Sequence, residues 1–153
     1  MKTTVITYGT FDMFHIGHLK LLQNLATLGD TLIVAVSSDE FNELKGKSTI
    51  IPYEQRAEIV KNIKFVDEVI AENAWEQKIS DIQKYQVDIF AIGDDWRGKF
   101  DYLQEYCQVI YLPRTKDVST DRLKATLANF LSISKKEMLH ALKVLEILKK
   151  DFD

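Results

Sequence analysis

The stretch of sequence that decides the fold is TVITYGTFDMFHIGH, residues 4–18. Its first five residues are β-branched or aromatic and stop at Gly9, which predicts a buried β-strand. From residue 18 to 28, leucines and an alanine recur at helical spacing until Gly29 and Asp30 end the run. The segment that carries His15 and His18 is therefore expected on the turn between a strand and the helix that follows it.

Strand and helix patterns alternate along the rest of the chain. Strand-like apolar runs cover residues 31–36, 66–70, 87–92 and 109–112, and helical patterns cover residues 53–63, 75–85 and 99–106. Residues 39–52 are the most polar part of the first half of the chain. This order predicts an α/β fold: a Rossmann-like, doubly wound, mainly parallel sheet flanked by helices.

The last part of the chain has a different pattern. Residues 123–131 and 138–148 carry apolar side chains at helical spacing beside a lysine-rich polar face. We expect one domain over residues 1–130 and an amphipathic helical extension over residues 131–153. The extension would pack on the domain or on a second subunit, although a basic helix of this kind also suits a membrane surface or a partner helix.

Composition limits the class of protein. Of the 153 residues, 46% are hydrophobic and 28% are charged, a balance typical of a folded domain. The single cysteine cannot form an internal disulfide, and no apolar run approaches the roughly 18 residues of a membrane span. With 20 basic and 23 acidic residues the net charge is −3, which argues against a general nucleic-acid binder. We therefore expect a soluble, cytoplasmic protein.

Glycines, cations and hydroxyl groups follow the predicted strands at their carboxyl ends, where open α/β sheets bind ligands. Residues 9–18 follow the first strand, Lys45 and Lys47 come after the second, and residues 93–99 and 114–120 follow two later ones. Each group alone could be an ordinary solvated loop or, before a helix, a cap. Together they predict a ligand site at one edge of the sheet.

His15 and His18 are the sharpest signal at this edge. They lie three residues apart at the start of a helix, and Gly17 between them lets the backbone approach a ligand. Free N–H groups and the helix dipole favour phosphate there, and imidazoles can donate hydrogen bonds to its oxygens. A structural histidine pair and a metal pair are the alternatives. A metal pair would lack further ligands, because the only other histidine, His140, is far away in sequence.

These segments resemble the signatures of the cytidylyltransferase group of nucleotidyltransferases. The first signature is similar to Gly9-Thr10-Phe11-Asp12 followed by His15-x-Gly17-His18, and the second to Arg114-Thr115 followed by Ser119-Thr120. Residues 75–78, 93–101 and 111–115 are most similar to members of the group whose acceptor is glycerol 3-phosphate. The resemblance implies that residues 1–130 form a nucleotidyltransferase domain. The reaction would join CTP to a phosphorylated alcohol and release pyrophosphate.

The resemblance also implies a role for each motif residue. The catalytic residues would be His15, His18, Lys45 and Arg114. The nucleotide would be bound by Gly9, Thr10, Phe11, Asp12, Gly17, Gly93, Asp94, Trp96, Arg114, Thr115, Ser119 and Thr120. The phosphorylated substrate would be bound by Lys45, Lys47, Arg56, Lys64 and Asp67, with the two lysines on a mobile loop. Mg²⁺ would arrive with the CTP triphosphate and take few protein ligands.

Three positions depart from the usual pattern of the group. Asp117 and Asp121 stand where glycine and threonine are usual. Two carboxylates beside a triphosphate would repel it unless they point away or meet cations such as Lys116 and Arg122. Lys64 replaces an arginine, which keeps the charge but loses the bidentate geometry. In relatives this stretch lies near a dimer interface, so we expect a homodimer.

Other functions fit some of the same motifs. The acceptor could be phosphoethanolamine, phosphocholine or a sugar phosphate in place of glycerol 3-phosphate. The histidine motif is also found in adenylyltransferases, although the tryptophan segments argue against that reaction. A non-catalytic nucleotide-binding protein is a further alternative, against which the intact histidines, lysines and Arg114 argue. With glycerol 3-phosphate as acceptor, the product CDP-glycerol would feed a wall or capsule polymer such as teichoic acid.

Overall fold

The computed structural model describes residues 1–114, 119–132 and 134–150 of the chain. Its five-stranded sheet is built from β1 (Thr4–Gly9), β2 (Thr31–Ser37), β3 (Glu68–Glu72), β4 (Ile89–Gly93) and β5 (Gln108–Leu112). The strands are parallel and lie in the order β3-β2-β1-β4-β5. This arrangement confirms the predicted Rossmann-like α/β fold.

Helices connect the strands and follow the last one. They are α1 (Ile16–Ala26), α2 (Asp39–Leu44), α3 (Tyr53–Lys61), α4 (Gln77–Lys84), α5 (Thr120–Leu131) and α6 (Lys135–Lys150). Two short 3-10 helices cover Asp94–Trp96 and Asp101–Glu105, and the second replaces the longer helix predicted over residues 99–106. None of the helices in the described part of the chain is long and apolar enough to span a membrane.

The polar stretch over residues 39–52 begins with a short helix, because α2 occupies Asp39–Leu44. Ser38 caps this helix by accepting a hydrogen bond from the backbone N–H of Phe41 at 3.1 Å, and two acidic residues occupy its first turn. The helix buries only Phe41 and Asn42. So short an apolar face leaves no helical periodicity in the sequence.

The two faces of the sheet are covered by separate hydrophobic clusters. Along β1, Val5 belongs to the cluster that contains Leu22 and Leu25 of α1, whereas its neighbour Ile6 belongs to the cluster that contains Phe90 and Leu103. Alternate residues of a strand point to opposite faces, so a strand that is buried on both faces is apolar throughout. This burial explains the continuous apolar runs in the sequence.

The sheet opens between its two central strands. β1 pairs with β2 along its whole length, from Thr4 to Gly9, but with β4 only at Val5 and Ile6. The strand order also reverses here, because the chain runs from β1 outward through β2 and β3 on one side and then returns to β4 on the other. Ligands of open α/β sheets bind in the crevice at such a point, beyond the carboxyl ends of the strands.

The chain forms two compact units, Met1–Val118 and Ser119–Asp153. The first contains the sheet and α1 to α4, and the second contains α5 and α6. The sequence placed a boundary at residue 130, and that assignment stays a prediction. In the second unit Ser119 caps α5, where its hydroxyl accepts a hydrogen bond from the Arg122 backbone N–H at 3.1 Å.

Candidate active site

The turn after β1 has an unusual backbone. Phe11 and Met13 have positive φ angles of 54° and 49°, a conformation that residues with a side chain seldom adopt. The ring of Phe11 folds back over Gly9, where an added Cβ atom would lie 2.8 Å from a ring carbon. Gly9 is therefore required by the close approach of Phe11, whose ring is buried and lies 5.4 Å from the His18 ring.

Asp12 fastens this turn to a second segment. Its side chain is 2% exposed and accepts hydrogen bonds from the backbone N–H groups of Ile50 and Ile51, at 2.8 and 2.9 Å. A third bond joins it to the N–H of Met13 at 3.1 Å. The structure thus makes Asp12 an anchor between the first loop and the segment that leads into α3. Its predicted contact with the nucleotide stays a prediction.

The two motif histidines cap the helix that they begin. His15 Nδ1 accepts the backbone N–H of Gly17 at 3.0 Å, and His18 Nδ1 accepts the backbone N–H of His15 at 3.2 Å. Their rings stack with centroids 3.9 Å apart. The expectation of free N–H groups at this helix start is therefore wrong for His15 and Gly17, since the imidazoles use both. The imidazoles therefore satisfy these two backbone groups before any ligand binds.

This arrangement keeps both rings neutral. Burial, and then the charge of His15, lower the pKa of His18 to about 4, while Asp12 acts in the opposite direction. Burial and the positive charge of Arg114 lower the pKa of His15. Because each Nδ1 accepts a hydrogen bond, the ring proton of the neutral form is on Nε2. Each histidine can then donate from Nε2 to an anion at neutral pH.

Lys45 is placed differently from the mobile-loop lysine that the sequence predicted. It caps the carboxyl end of α2, and its side chain is only 9% exposed. Its Nζ donates to the Ser37 hydroxyl at 3.1 Å and lies over the rings of Phe41 and Trp75, at 4.5 and 5.6 Å. Burial lowers the pKa of Lys45 to about 8, with Glu72 opposing the shift. The ammonium group is charged at pH 7 yet is close to its titration range.

The other loop residues lie beside these groups. Lys47 Nζ lies 5.7 Å from the ring of Trp96, and Trp96 is itself in edge contact with Trp75. Arg114 forms an exposed ion pair with Asp95 at 3.1 Å, and its charge acts on His15. The structure therefore brings the carboxyl-end segments of the first unit to one edge of the sheet, as the sequence predicted.

A buried polar cluster beneath this edge was missed by the sequence analysis. Lys78 and Glu72 are 1% and 3% exposed and form an ion pair at 2.6 Å. Tyr8 lies against Lys78 and donates from its hydroxyl to Asp81 at 2.7 Å, and burial raises the pKa of Tyr8 above its usual range. The signal was Glu72 at the end of β3, followed by Lys78 one helical turn before Ile82, on the face of α4 that is buried.

Arg56 is buried, and its hydrogen bonds go to the protein backbone and to one carboxylate. Its guanidinium is 1% exposed and donates to the carbonyl oxygens of Thr10, Ser37 and Ile51, at 2.6, 2.9 and 2.8 Å. It also pairs with Asp39 at 2.7 Å, a carboxylate whose pKa is lowered by hydrogen bonds from the Tyr53 backbone and then from Arg56. Arg56 thus ties the ends of β1 and β2 to α3, and its predicted substrate contact stays a prediction.

Two predicted substrate residues are not brought to this edge. Asp67 precedes β3 and accepts a hydrogen bond from the Leu32 backbone N–H near the start of β2, at 2.7 Å. It therefore lies at the amino ends of the strands, opposite the histidines. Lys64 is close by in sequence, with its Nζ 5.2 Å from the Phe65 ring. Their contact with a substrate stays a prediction.

The remaining predicted residues are described only in part. Gly93 and Asp94 lie at the end of β4, beside Trp96, and an added Cβ at Gly93 would meet open space. Thr115 lies outside the described residues, and so does Asp117. Ser119 and Thr120 belong to the second unit, so their binding of a nucleotide stays a prediction. Within residues 1–114, 119–132 and 134–150, no three His, Cys, Asp or Glu side chains form a group that could hold a metal ion.

Comparisons with known proteins agree on one family. Residues 6–145 match the family model described as cytidylyltransferase-like. A glycerol-3-phosphate cytidylyltransferase of Bacillus spizizenii is 59% identical over 125 residues, which cover 82% of this chain and 97% of that protein. The enzyme of the same name from Bacillus subtilis (strain 168) is 53% identical over 124 residues, covering 81% and 96%.

A solved structure supports the fold. The lipopolysaccharide core biosynthesis protein from Thermoplasma volcanium GSS1 superposes with a TM-score of 0.64 over 75% of this chain and 99% of that one. At 23% identity this likeness shows the fold alone. The two Bacillus proteins are matched almost completely, whereas nearly a fifth of this chain lies outside each alignment.

Proposed function

Because this chain belongs to the cytidylyltransferase-like family, we propose that it joins CTP to sn-glycerol 3-phosphate, giving CDP-glycerol and pyrophosphate. The observation that carries the proposal is the 59% identity to a glycerol-3-phosphate cytidylyltransferase over 97% of that protein's length. The described site agrees with a transfer between phosphates, because it offers imidazoles and cations rather than an activated nucleophile.

The reaction needs no covalent intermediate with the protein. The phosphate of glycerol 3-phosphate has a second pKa of about 6 and is largely dianionic at pH 7, so no general base is needed. Its oxygen attacks the α-phosphorus of CTP, the bond to the β-phosphate oxygen breaks, and pyrophosphate leaves with that electron pair. The obstacle is the approach of one anion to another, which positioning and positive charge overcome.

The residues of the site divide this task. His15 and His18 donate from Nε2 to the crowded α-phosphate in the transition state. Both rings are neutral at pH 7, because the pKa of each is lowered. Lys45 and Lys47 meet the incoming phosphate. Arg114 neutralises the leaving pyrophosphate, for which it exchanges its exposed pair with Asp95. Trp96 lies beside these cations and contributes to the nucleotide pocket.

We further propose that Mg²⁺ accompanies the triphosphate. The edge of the sheet offers lysines, arginine and histidine nitrogens engaged in hydrogen bonds, a donor set that suits phosphate oxygens better than a divalent cation. A metal carried by CTP would neutralise phosphate charge without needing protein ligands. Its requirement can be measured by titrating Mg²⁺ into an assay freed of divalent cations.

A homodimer in the cytoplasm that supplies CDP-glycerol to teichoic-acid or capsule synthesis completes the proposal. Its support is the resemblance of residues 64–67 to a stretch that lies near a dimer interface in relatives. Sedimentation equilibrium tests the dimer, and a single monomeric species at micromolar concentration would reject it.

The deciding experiment is pyrophosphate release with CTP and sn-glycerol 3-phosphate. CDP-glycerol should be found by mass, and the His18→Ala variant should supply the matched inactive control. A panel of ATP, GTP and UTP, and of phosphoethanolamine, phosphocholine and sugar phosphates, is measured beside it. Release with another pair, and silence with this one, would move the protein to a different substrate class within the family.

A further inference from the structure

Glu72 is a buried carboxylate shared by two lysines. It is the last residue of β3 and is 3% exposed. Its Oε2 lies 2.6 Å from Lys78 Nζ, and its Oε1 accepts the Ser37 hydroxyl at 2.5 Å and lies 3.8 Å from Lys45 Nζ. Lys45 donates to the same Ser37 hydroxyl at 3.1 Å. One carboxylate therefore holds Lys78 directly and Lys45 largely through Ser37.

The two ammonium groups lie in surroundings poor in water. Lys78 is 1% exposed, and the rings of Tyr8, Trp75 and Phe100 surround its Nζ at 4.5, 4.7 and 5.4 Å. Lys45 contacts the same Trp75 ring. Burying a cation is costly unless an anion and hydrogen bonds compensate. Without Glu72, both lysines would lose the carboxylate that compensates for their burial.

The unequal distances suggest different tasks for the two contacts. The 2.6 Å pair fixes Lys78, whereas the 3.8 Å separation leaves Lys45 a weaker ionic contact that a phosphate oxygen can replace. Lys45 also lies at the end of α2, next to Lys47, where the acceptor phosphate is expected. A phosphate dianion that enters there would replace Glu72 as the ionic partner of Lys45. Glu72 would remain neutralised by Lys78.

We propose that Glu72 is a positioning residue for the transfer reaction: it holds the ammonium groups of Lys45 and Lys78 side by side at the carboxyl edge of the sheet, so that Lys45 is presented to the phosphate of the acceptor. The proposal rests on the proposed function for the identity of that acceptor. The arrangement of the two lysines around Glu72 does not depend on it.

The charge state of Lys45 gives a direct readout. The charged groups that act on it are Glu72 of β3, Lys78 of α4, Arg56 of α3 and its own neighbour Lys47; the carboxylate favours the ammonium form and the three cations oppose it. Removing the negative charge of Glu72 leaves only the opposing groups and the burial. Lys45 should then lose its proton at a lower pH than the value of about 8 expected for the intact protein.

The experiment compares Glu72→Gln with Glu68→Gln, a change of the same kind at the exposed first residue of the same strand. Lys45 is titrated by NMR in the full-length protein carrying ¹³C-labelled lysine, with the resonance assigned through Lys45→Arg. The titration midpoint should fall in Glu72→Gln and stay unchanged in Glu68→Gln. The midpoint is read without substrates, so its result is independent of which reaction the protein performs.

Steady-state kinetics complete the test. In Glu72→Gln the KM for glycerol 3-phosphate should rise, and kcat/KM at pH 7.5 should fall by roughly tenfold to a hundredfold, the range for a misplaced reacting group. The KM for CTP should change less. Wild-type protein without this activity would reject the proposed function, while an unshifted Lys45 titration in a folded Glu72→Gln would reject the role of Glu72.

Two further variants keep the inference testable if Glu72→Gln does not fold. Ser37→Ala removes the hydroxyl between Lys45 and Glu72 but leaves the Lys78 pair intact, so the Lys45 midpoint should fall and the acceptor KM should rise. Glu72→Asp keeps the charge on a shorter side chain, and its midpoint should lie between those of Ser37→Ala and the wild type. Unchanged titration and unchanged acceptor KM in Ser37→Ala would overturn the proposal.

Discussion

His18 accepts a hydrogen bond from the backbone N–H of His15 through its Nδ1 atom, at 3.2 Å, and the two rings stack above one another. One imidazole thus completes the helix cap that the other begins. The pair is held by the backbone of the helix start before any ligand arrives, and it needs no reorganisation when charge develops on a phosphate.

The first prediction concerns catalysis by this pair. His15→Ala and His18→Ala should each lower kcat by on the order of 10² or more, the scale for loss of one preorganised donor. Both proteins should still fold, because most of the hydrophobic core lies elsewhere. His140→Ala, at an exposed residue of α6, is the matched control and should turn over normally. Near-normal turnover in both active-site variants would show that the site is elsewhere.

The second prediction concerns stability in acid. The pKa of His18 is about 4 in the folded protein and about 6.5 in an unfolded chain, so the unfolded state binds the proton first as the pH falls. Above pH 6.5 His18 is neutral in both states and does not lower the free energy of unfolding. From there towards pH 4 the free energy of unfolding should decline, because protonation favours the unfolded chain. Urea titrations at half-unit steps measure this slope, which should be shallower in His18→Gln. An equal slope in both proteins would contradict the buried, neutral state of His18.

The third prediction concerns the alkaline limb of activity. If Lys45 acts as an ammonium group, activity should fall as the pH rises through about 8, the pKa that burial gives it. Lys45→Arg keeps the charge at every accessible pH, because a guanidinium group does not titrate there. It should lower kcat through its different shape but remove the limb. A limb that persists at the same pH in Lys45→Arg would assign it to another group.

The fourth prediction separates a buried anchor from an exposed ion pair. Asp12→Ala leaves the N–H groups of Ile50 and Ile51 without their acceptor and should reduce the free energy of unfolding by about 2 kcal/mol or more. Asp95→Ala breaks a pair with Arg114 whose partners are 54% and 57% exposed, and should cost less than about 1 kcal/mol. Equal losses in chemical denaturation would mean that Asp12 does not anchor this turn.

The fifth prediction uses two glycines at the ends of neighbouring strands. In Gly9→Ala the new methyl group would meet the buried Phe11 ring at 2.8 Å, so the ring must move, at a cost of about 1–3 kcal/mol in stability. Gly93→Ala places its methyl group in open space and should leave the thermal unfolding midpoint nearly unchanged. Because Phe11 contacts His18, Gly9→Ala should also lower kcat. A Gly9→Ala protein as stable as Gly93→Ala would contradict the close approach.

The sequence determined the class of fold because strands buried on both faces of a parallel sheet are continuous apolar runs, which are visible locally. The apolar runs of β1, β2 and β4, and the glycines that end β1 and β4, could be identified without coordinates. The histidine motif was equally visible, since a strand-to-helix turn is a short-range event. The helix α2 could not be identified in the same way, because its six residues bury only Phe41 and Asn42 and leave no periodicity.

Tertiary structure decided which charged side chains meet. The sequence did not predict that Arg56 and Lys78 are buried, yet each is 1% exposed and bound to partners from other elements. Lys45 looked like a loop lysine and is held against a strand end by Ser37 and Glu72. Periodicity records only whether a position faces the core. The partners that make burial of a charge possible come from distant parts of the chain. Only tertiary packing brings Glu72 of β3 to Lys45 and Lys78, and the carbonyl oxygens of Thr10 and Ser37 to Arg56.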